Sequence, residues 1–124
     1  MRTPRPLFPV LAVVGVVGLL QGCDDGGQPV AFADVEHGRE QFVGYGCGAC
    51  HQVDGIRQAR GRVGPDLSDL PDQRIVAGQL PNTPEQVSAF IQNPQEYAPG
   101  TGMPNLGVTP EDAEAITAFL FDQG

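Results

Sequence analysis

Cys47 and Cys50 stand three residues apart, and His51 follows the second thiol at once. That spacing is the one by which a c-type haem is attached to a polypeptide. Each thiol can close a thioether to one of the porphyrin's two vinyl groups. The short turn between them then leaves an imidazole beneath the ring, where a nitrogen can bind the iron. Two other chemistries use Cys-x-x-Cys. A structural zinc site takes four ligands, and outside the motif only His37 and Cys23 remain among the soft ones. A dithiol exchanger is expected within a β-α-β pattern, and none surrounds Cys47-Gly48-Ala49-Cys50. The residues favour one haem c, held covalently through Cys47 and Cys50.

A six-coordinate iron needs a second ligand besides His51. Once a leader bearing Met1 is removed, Met103 is the only methionine left. It sits in Tyr97-Ala98-Pro99-Gly100-Thr101-Gly102-Met103-Pro104, a loop stiffened by prolines and opened by glycines, free of helical constraint. A thioether paired with an imidazole raises the potential of a haem iron. The rival is His37, which would give two histidines and a lower potential; its place on the helix ahead of the motif reads as surface.

The 124 residues suffice for one domain. The first 22 read as a leader, with Arg2 and Arg5 ahead of an apolar run from Leu7 to Leu20 and small residues before Cys23. That run contains Pro9 and is shorter than the roughly 20 residues a bilayer span takes, so a cleaved leader is preferred over a retained anchor. Leu20-Gln21-Gly22-Cys23 resembles a bacterial lipoprotein signal, with Gln21 where a small residue is more usual. The resemblance implies that Cys23 becomes the acylated N-terminus. Cysteine usage agrees: two thiols for haem and one for lipid leave none free in an oxidising compartment. The alternative is a plain secretory signal with Cys23 as a spare thiol. More than one acyl chain would hold the protein stably on a membrane. Asp24 resembles the signal that keeps enteric lipoproteins on the inner membrane, so the expected location is the periplasmic face of a bacterial inner membrane. Residues 23–33 are short, polar and Gly-rich and read as the acylated cysteine and a tether of roughly 17 Å reach.

The chain carries seven arginines, no lysine and 15 acids, a formal net charge of −8, which becomes −10 without the leader. Nucleic acid is excluded as a partner by that balance. A protein with a basic docking surface would be steered in favourably.

The elements that must position these groups are short. Asp34 is placed to cap a helix running to about Val43, with Gly38 and Phe42 on one face. Glycine inside a helix costs up to about 1 kcal/mol, so close approach of another backbone is the expected compensation. The last helix is the expected partner. Thr109-Pro110-Glu111-Asp112 marks its start, and Ala113, Ile116, Phe119 and Leu120 its apolar stripe. Thr83-Pro84-Glu85-Gln86 starts another helix, through Val87, Phe90 and Ile91, that stops before Pro94. Ser68 to Leu70 reads as a short helical turn, and no strand alternation is present between these elements. The expectation is an all-α domain over residues 34–124, of three to five short helices, whose thin core a haem would complete.

Cys47-Gly48-Ala49-Cys50-His51, Gly64-Pro65-Asp66-Leu67, and Asn93-Pro94-x-x-Tyr97-x-Pro99-Gly100-Thr101-x-Met103 together resemble class I cytochrome c over about residues 34–122. The resemblance implies His51 and Met103 as axial ligands, Cys47 and Cys50 as thioether sites, and the Pro65 carbonyl as acceptor from the other ring nitrogen of His51. It also implies that Gly38 and Phe42 meet the C-terminal helix, and that Tyr97 lies near a haem propionate. Phe90 stands where the family often has Trp. Arg57, Arg60 and Arg62 form the one basic cluster, of which Arg62 is best suited to pair with a propionate; a solvated loop is the alternative. Ala77 to Ile91 is similar to the cytochrome c domain fused to subunit II of some bacterial haem–copper oxidases. The expected function is one-electron transfer in a bacterial respiratory chain. With both axial sites filled by protein, no position is left for a small-molecule substrate, so the chain alone is not read as an enzyme. A fixed subunit of an oxidase or dehydrogenase complex, or a haem ligand sensor, are the alternatives.

Overall fold

The computed structural model describes residues 32–123. The expected leader, Cys23 and the tether up to residue 31 lie outside the described residues. Four helices form the frame: α1 (Phe32–Gly44), α2 (Pro84–Gln92), α3 (Pro94–Tyr97) and α4 (Pro110–Phe121). Short 3₁₀ turns occupy Cys47–Ala49 and Leu70–Asp72, and a two-stranded antiparallel ribbon pairs β1 (Ile75–Val76) with β2 (Leu80–Pro81).

The helix starts follow from local chemistry. Thr83 caps α2 by accepting from the Gln86 N–H at 3.3 Å, and Thr109 caps α4 by accepting from the Asp112 N–H at 3.2 Å. Each is followed by proline, whose missing N–H would have lacked a partner in any case. For α1 the structure corrects the expected boundary: the helix begins at Phe32, so Asp34 lies in its first turn and favours the dipole there instead of capping it. Pro94 ends α2 as expected, but then opens the four-residue α3, so Tyr97 is helical before the Met103 loop begins.

α1 crosses α4 at Gly38. A Cβ added there would lie 1.8 Å from the Ala115 carbonyl oxygen, so only glycine lets the two backbones meet. Beside the crossing, Phe42 and Phe119 pack as a tilted pair, 5.8 Å between centroids. The stripe expected on α4 is buried and is wider than periodicity indicated, since Ala115 through Leu120 are all buried. The Thr117 hydroxyl is accommodated by donating to the Ala113 carbonyl at 2.7 Å. Val87 and Ile91 of α2 complete the core on the other side of α4.

The ribbon is a departure from the helix-only expectation. Its turn passes through Ala77 (φ 50°) and Gly78 (φ 77°), the paired positive φ values of a primed hairpin turn, and the Gln79 N–H reaches the Val76 carbonyl at 3.2 Å. Strands of two residues are too short to alternate, and alanine is not a residue that signals a left-handed turn. The helical turn expected over Ser68–Leu70 is displaced to Leu70–Asp72, because Ser68 is instead tied into a local turn by the Asp66 carboxylate.

Candidate haem site

α1 delivers the chain into the Cys47–Ala49 turn, where the His51 N–H bonds to the Cys47 carbonyl at 2.9 Å. The turn thereby brings both cysteines and the histidine to one wall. From there the backbone is doubled by the segment after Gly61. The Gly64 N–H donates to the Cys50 carbonyl at 2.8 Å, and the Leu67 N–H donates to the Gln52 carbonyl at 2.8 Å. These two ties bracket the position where the Pro65 carbonyl meets Nδ1 of His51 at 2.8 Å.

A carbonyl can only accept, so Nδ1 carries the ring hydrogen and Nε2 is left with its lone pair. The imidazole is also confined on its flank. A Cβ at Gly64 would lie 2.4 Å from Cε1 and 2.7 Å from Nδ1 of His51. Asp66 steadies this segment by accepting from the Ser68 N–H at 2.9 Å and the Ser68 hydroxyl at 2.7 Å, and from the Gln52 amide at 2.9 Å. The bonds from Ser68 hold the Asp66 carboxyl below its ordinary pKa.

Cys47, Cys50, His51, Pro65 and Met103 all line one cavity of about 760 Å³, within the span usual for small-molecule and cofactor sites, about 300–1,000 Å³. Its remaining walls are largely apolar, with Leu67 and Leu70 from the segment after Pro65, Val87, Phe90 and Ile91 from α2, and Ile116 and Leu120 from α4. Burial pushes the Cys47 thiol above its ordinary pKa, which keeps it a neutral part of that wall. Among the described residues no group of three or more His, Cys, Asp or Glu side chains could hold a metal ion, so none of them completes a zinc site with Cys47 and Cys50; Cys23 lies outside the described residues. A porphyrin suits what is present: two free thiols, an imidazole of fixed tautomer and a thioether, all facing one apolar space.

Other expectations fare differently. His37 does not reach the cavity. Its Nε2 lies 3.1 Å from an Asp112 carboxylate oxygen on α4, so the rival ligand is engaged elsewhere, and its side chain is 41% exposed, in keeping with a surface position. Neither Arg62 nor Tyr97 lines the cavity: Arg62 is exposed beside Val63, and Tyr97 is half-buried with its carbonyl accepting from Gln79 at 2.8 Å. Two features were missed from the sequence. Gly64 was legible only as part of a motif, without its contact with His51. The cluster in which Asp112 accepts from Tyr45 at 2.7 Å and Thr109 at 2.8 Å while facing His37 had no signal in spacing.

Comparison with known proteins agrees with this geometry. A family model described as cytochrome c matches residues 35–122. The chain is 34% identical over 84 residues to cytochrome c oxidase subunit 2 of Alkalihalophilus pseudofirmus, covering 67% of this chain and 24% of that protein. It is 29% identical over 97 residues to cytochrome c oxidase subunit 2 of Bacillus sp. (strain PS3), covering 75% and 27% respectively. It is 31% identical over 111 residues to cytochrome c-554 of Methylosinus trichosporium, covering 79% and 81%. The chain thus spans about a quarter of the length of the two oxidase subunits. No solved structure gives a significant match. With a matched span that runs from α1 to the end of α4 and encloses the whole cavity wall, this chain belongs to the cytochrome c family, as an electron-transfer protein with covalently bound haem c.

Proposed function

We propose that the chain is a one-electron carrier in a bacterial respiratory chain, with His51 and Met103 as the axial ligands of its single haem c. The observation that carries this reading is the meeting of both residues at one cavity, with His51 already oriented by the Pro65 carbonyl at 2.8 Å. Haem bound there supplies a one-electron Fe(III)/Fe(II) couple. The chain's own residues do the rest. Pro65 and Gly64 hold the imidazole with Nε2 free, the Met103 loop brings a thioether, and the apolar walls keep water out and favour the less charged state.

The test is an absorption spectrum, oxidised and reduced, of wild type and Met103→Ala purified from a haem-maturing host. A low-spin spectrum with the weak red band of a Met–ferric-iron bond, lost in the variant, is expected. A high-spin wild type would sink the carrier reading and favour a ligand sensor.

The proposal includes a tether through acylated Cys23 to the periplasmic face of the inner membrane. No helix among the described residues is long and apolar enough to cross a membrane. Cys23→Ser should move the protein from the membrane to the soluble periplasmic fraction; retention in the membrane would overturn the lipid anchor. A second reading, a fixed subunit of an oxidase, is favoured by the two oxidase subunits among the relatives. Co-purification with a terminal oxidase after mild solubilisation would select it over the free carrier.

A further inference from the structure

We infer that Gln95 is a positioning residue for Met103, and that it sets how readily the sixth coordination site opens to an outside ligand. The inference rests on the His51/Met103 reading above. The loop it acts on has little else to hold it. Pro99 and Gly100 are exposed, and Gly102 and Pro104 border the haem cavity, so no other protein element packs on that bend: a Cβ at Gly102 would meet no protein atom within 4 Å. Two ties arise from the loop's own end residues: the Thr101 N–H reaches the Ala98 carbonyl at 3.0 Å, and the Met103 N–H reaches the Thr101 hydroxyl at 3.3 Å.

Gln95, on α3, supplies the rest. Its Nε2 donates to the Thr101 carbonyl at 2.8 Å and, at a longer 3.3 Å, to the Met103 carbonyl, while its Oε1 accepts from the Gly100 N–H at 3.3 Å. Two carbonyls face the nitrogen and one N–H faces the oxygen, so the amide has one workable orientation. Among the described residues no other side chain outside the loop bonds to the main chain of residues 99–103. Met103 itself is held at both peptide groups, by Thr101 at its N–H and by Gln95 at its carbonyl. A methionine side chain has three rotatable bonds, so its sulfur is placed only as well as its backbone is.

An outside ligand binds the iron only when Met103 has left, so its apparent affinity is scaled by the fraction of open molecules. The experiment is an imidazole titration of the ferric holoprotein for wild type, Gln95→Ala, Gln95→Glu and Gln79→Ala, with urea unfolding alongside. Glu keeps the length and an acceptor for Gly100 but at neutral pH cannot donate to the two carbonyls. Gln79→Ala removes a bond of equal length, 2.8 Å, to the Tyr97 carbonyl just outside the loop.

Both Gln95 variants are expected to bind imidazole about tenfold more tightly, a shift of roughly 1.4 kcal/mol in loop closure, with Gln79→Ala unchanged. Unchanged affinity in Gln95→Glu would overturn the inference. So would equal shifts in Gln95→Ala and Gln79→Ala that track their urea midpoints, since that is a purely structural role. A wild type without the red Met–iron band would overturn the ligand reading and this inference with it. That failure shows before any Gln95 variant is made.

Discussion

A histidine that ligates through one ring nitrogen must have its hydrogen fixed on the other, and the plane of its ring held. In this chain both are done by two adjacent residues. The Pro65 carbonyl takes the Nδ1 hydrogen at 2.8 Å, and Gly64 leaves room for the ring where a Cβ would come within 2.4 Å of it. Gly64→Ala therefore forces the imidazole off its bond to Pro65, and overpacking of this kind costs about 1–3 kcal/mol. Urea unfolding of the holoprotein should show that loss, and an unchanged midpoint would mean the ring has slack. At this scale the sequence was legible wherever chemistry requires neighbours in the chain. Cys47, Cys50 and His51 must be contiguous to grip one porphyrin, so spacing alone marks them. Met103 was marked by being the only methionine left beyond the leader, whereas Pro65 came only through the resemblance, because its distance from His51 along the chain carries no periodicity. The contact of His37 with Asp112 was not legible, because the two residues are 75 positions apart.

At the scale of elements, the α1–α4 crossing and the start of α4 are where the fold is most exposed to single changes. Gly38→Ala would set a Cβ 1.8 Å from the Ala115 carbonyl oxygen, a backbone atom in the middle of a buried helix that cannot step aside. The helices must separate, at a cost of about 3 kcal/mol or more, the upper end of overpacking. A thermal or urea midpoint close to wild type would show that the crossing is looser than the structure has it. The same two helices are joined at the start of α4 by Asp112, which Tyr45, Thr109 and His37 all face. The bond from Tyr45, then that from Thr109, holds the Asp112 carboxyl below its ordinary value of 3.8. A carboxylate with a depressed folded pKa adds stability above its unfolded pKa and loses it as pH falls through the folded one. Unfolding free energy should therefore fall with pH below about 4, and Asp112→Asn should flatten that acid limb. An equal slope in the variant would assign the acid limb to other carboxylates. Helix starts at Thr83 and Thr109 were legible because capping is local. The ribbon was not, since Ala77 adopts φ 50° only under the constraint of the pairing around it.

For the whole molecule, charge is the property that the sequence states most directly and the fold modifies least. Fifteen acids face seven arginines and no lysine. Among the described residues the only arginine engaged in an ion pair is Arg39, with Glu36 at 3.8 Å on the same exposed helix face. The carboxylates are therefore not cancelled locally, and their field extends into solvent over about a Debye length, roughly 10 Å at 0.1 M salt. A carrier with such a field should meet cationic partners faster than anionic ones, by factors of about ten or more at low salt. The local sign is less simple than the total, because Arg62 and Arg74 each adjoin an exposed apolar residue of the cavity wall, Val63 and Ile75. Two small redox reagents of matched potential and opposite charge separate these contributions. If the global field governs encounter, oxidation of the reduced protein by the cationic reagent slows as ionic strength rises, and oxidation by the anionic one quickens. The reverse pattern would mean that electrons leave through a face where the arginines outweigh the acids, and that the physiological partner presents carboxylates to it.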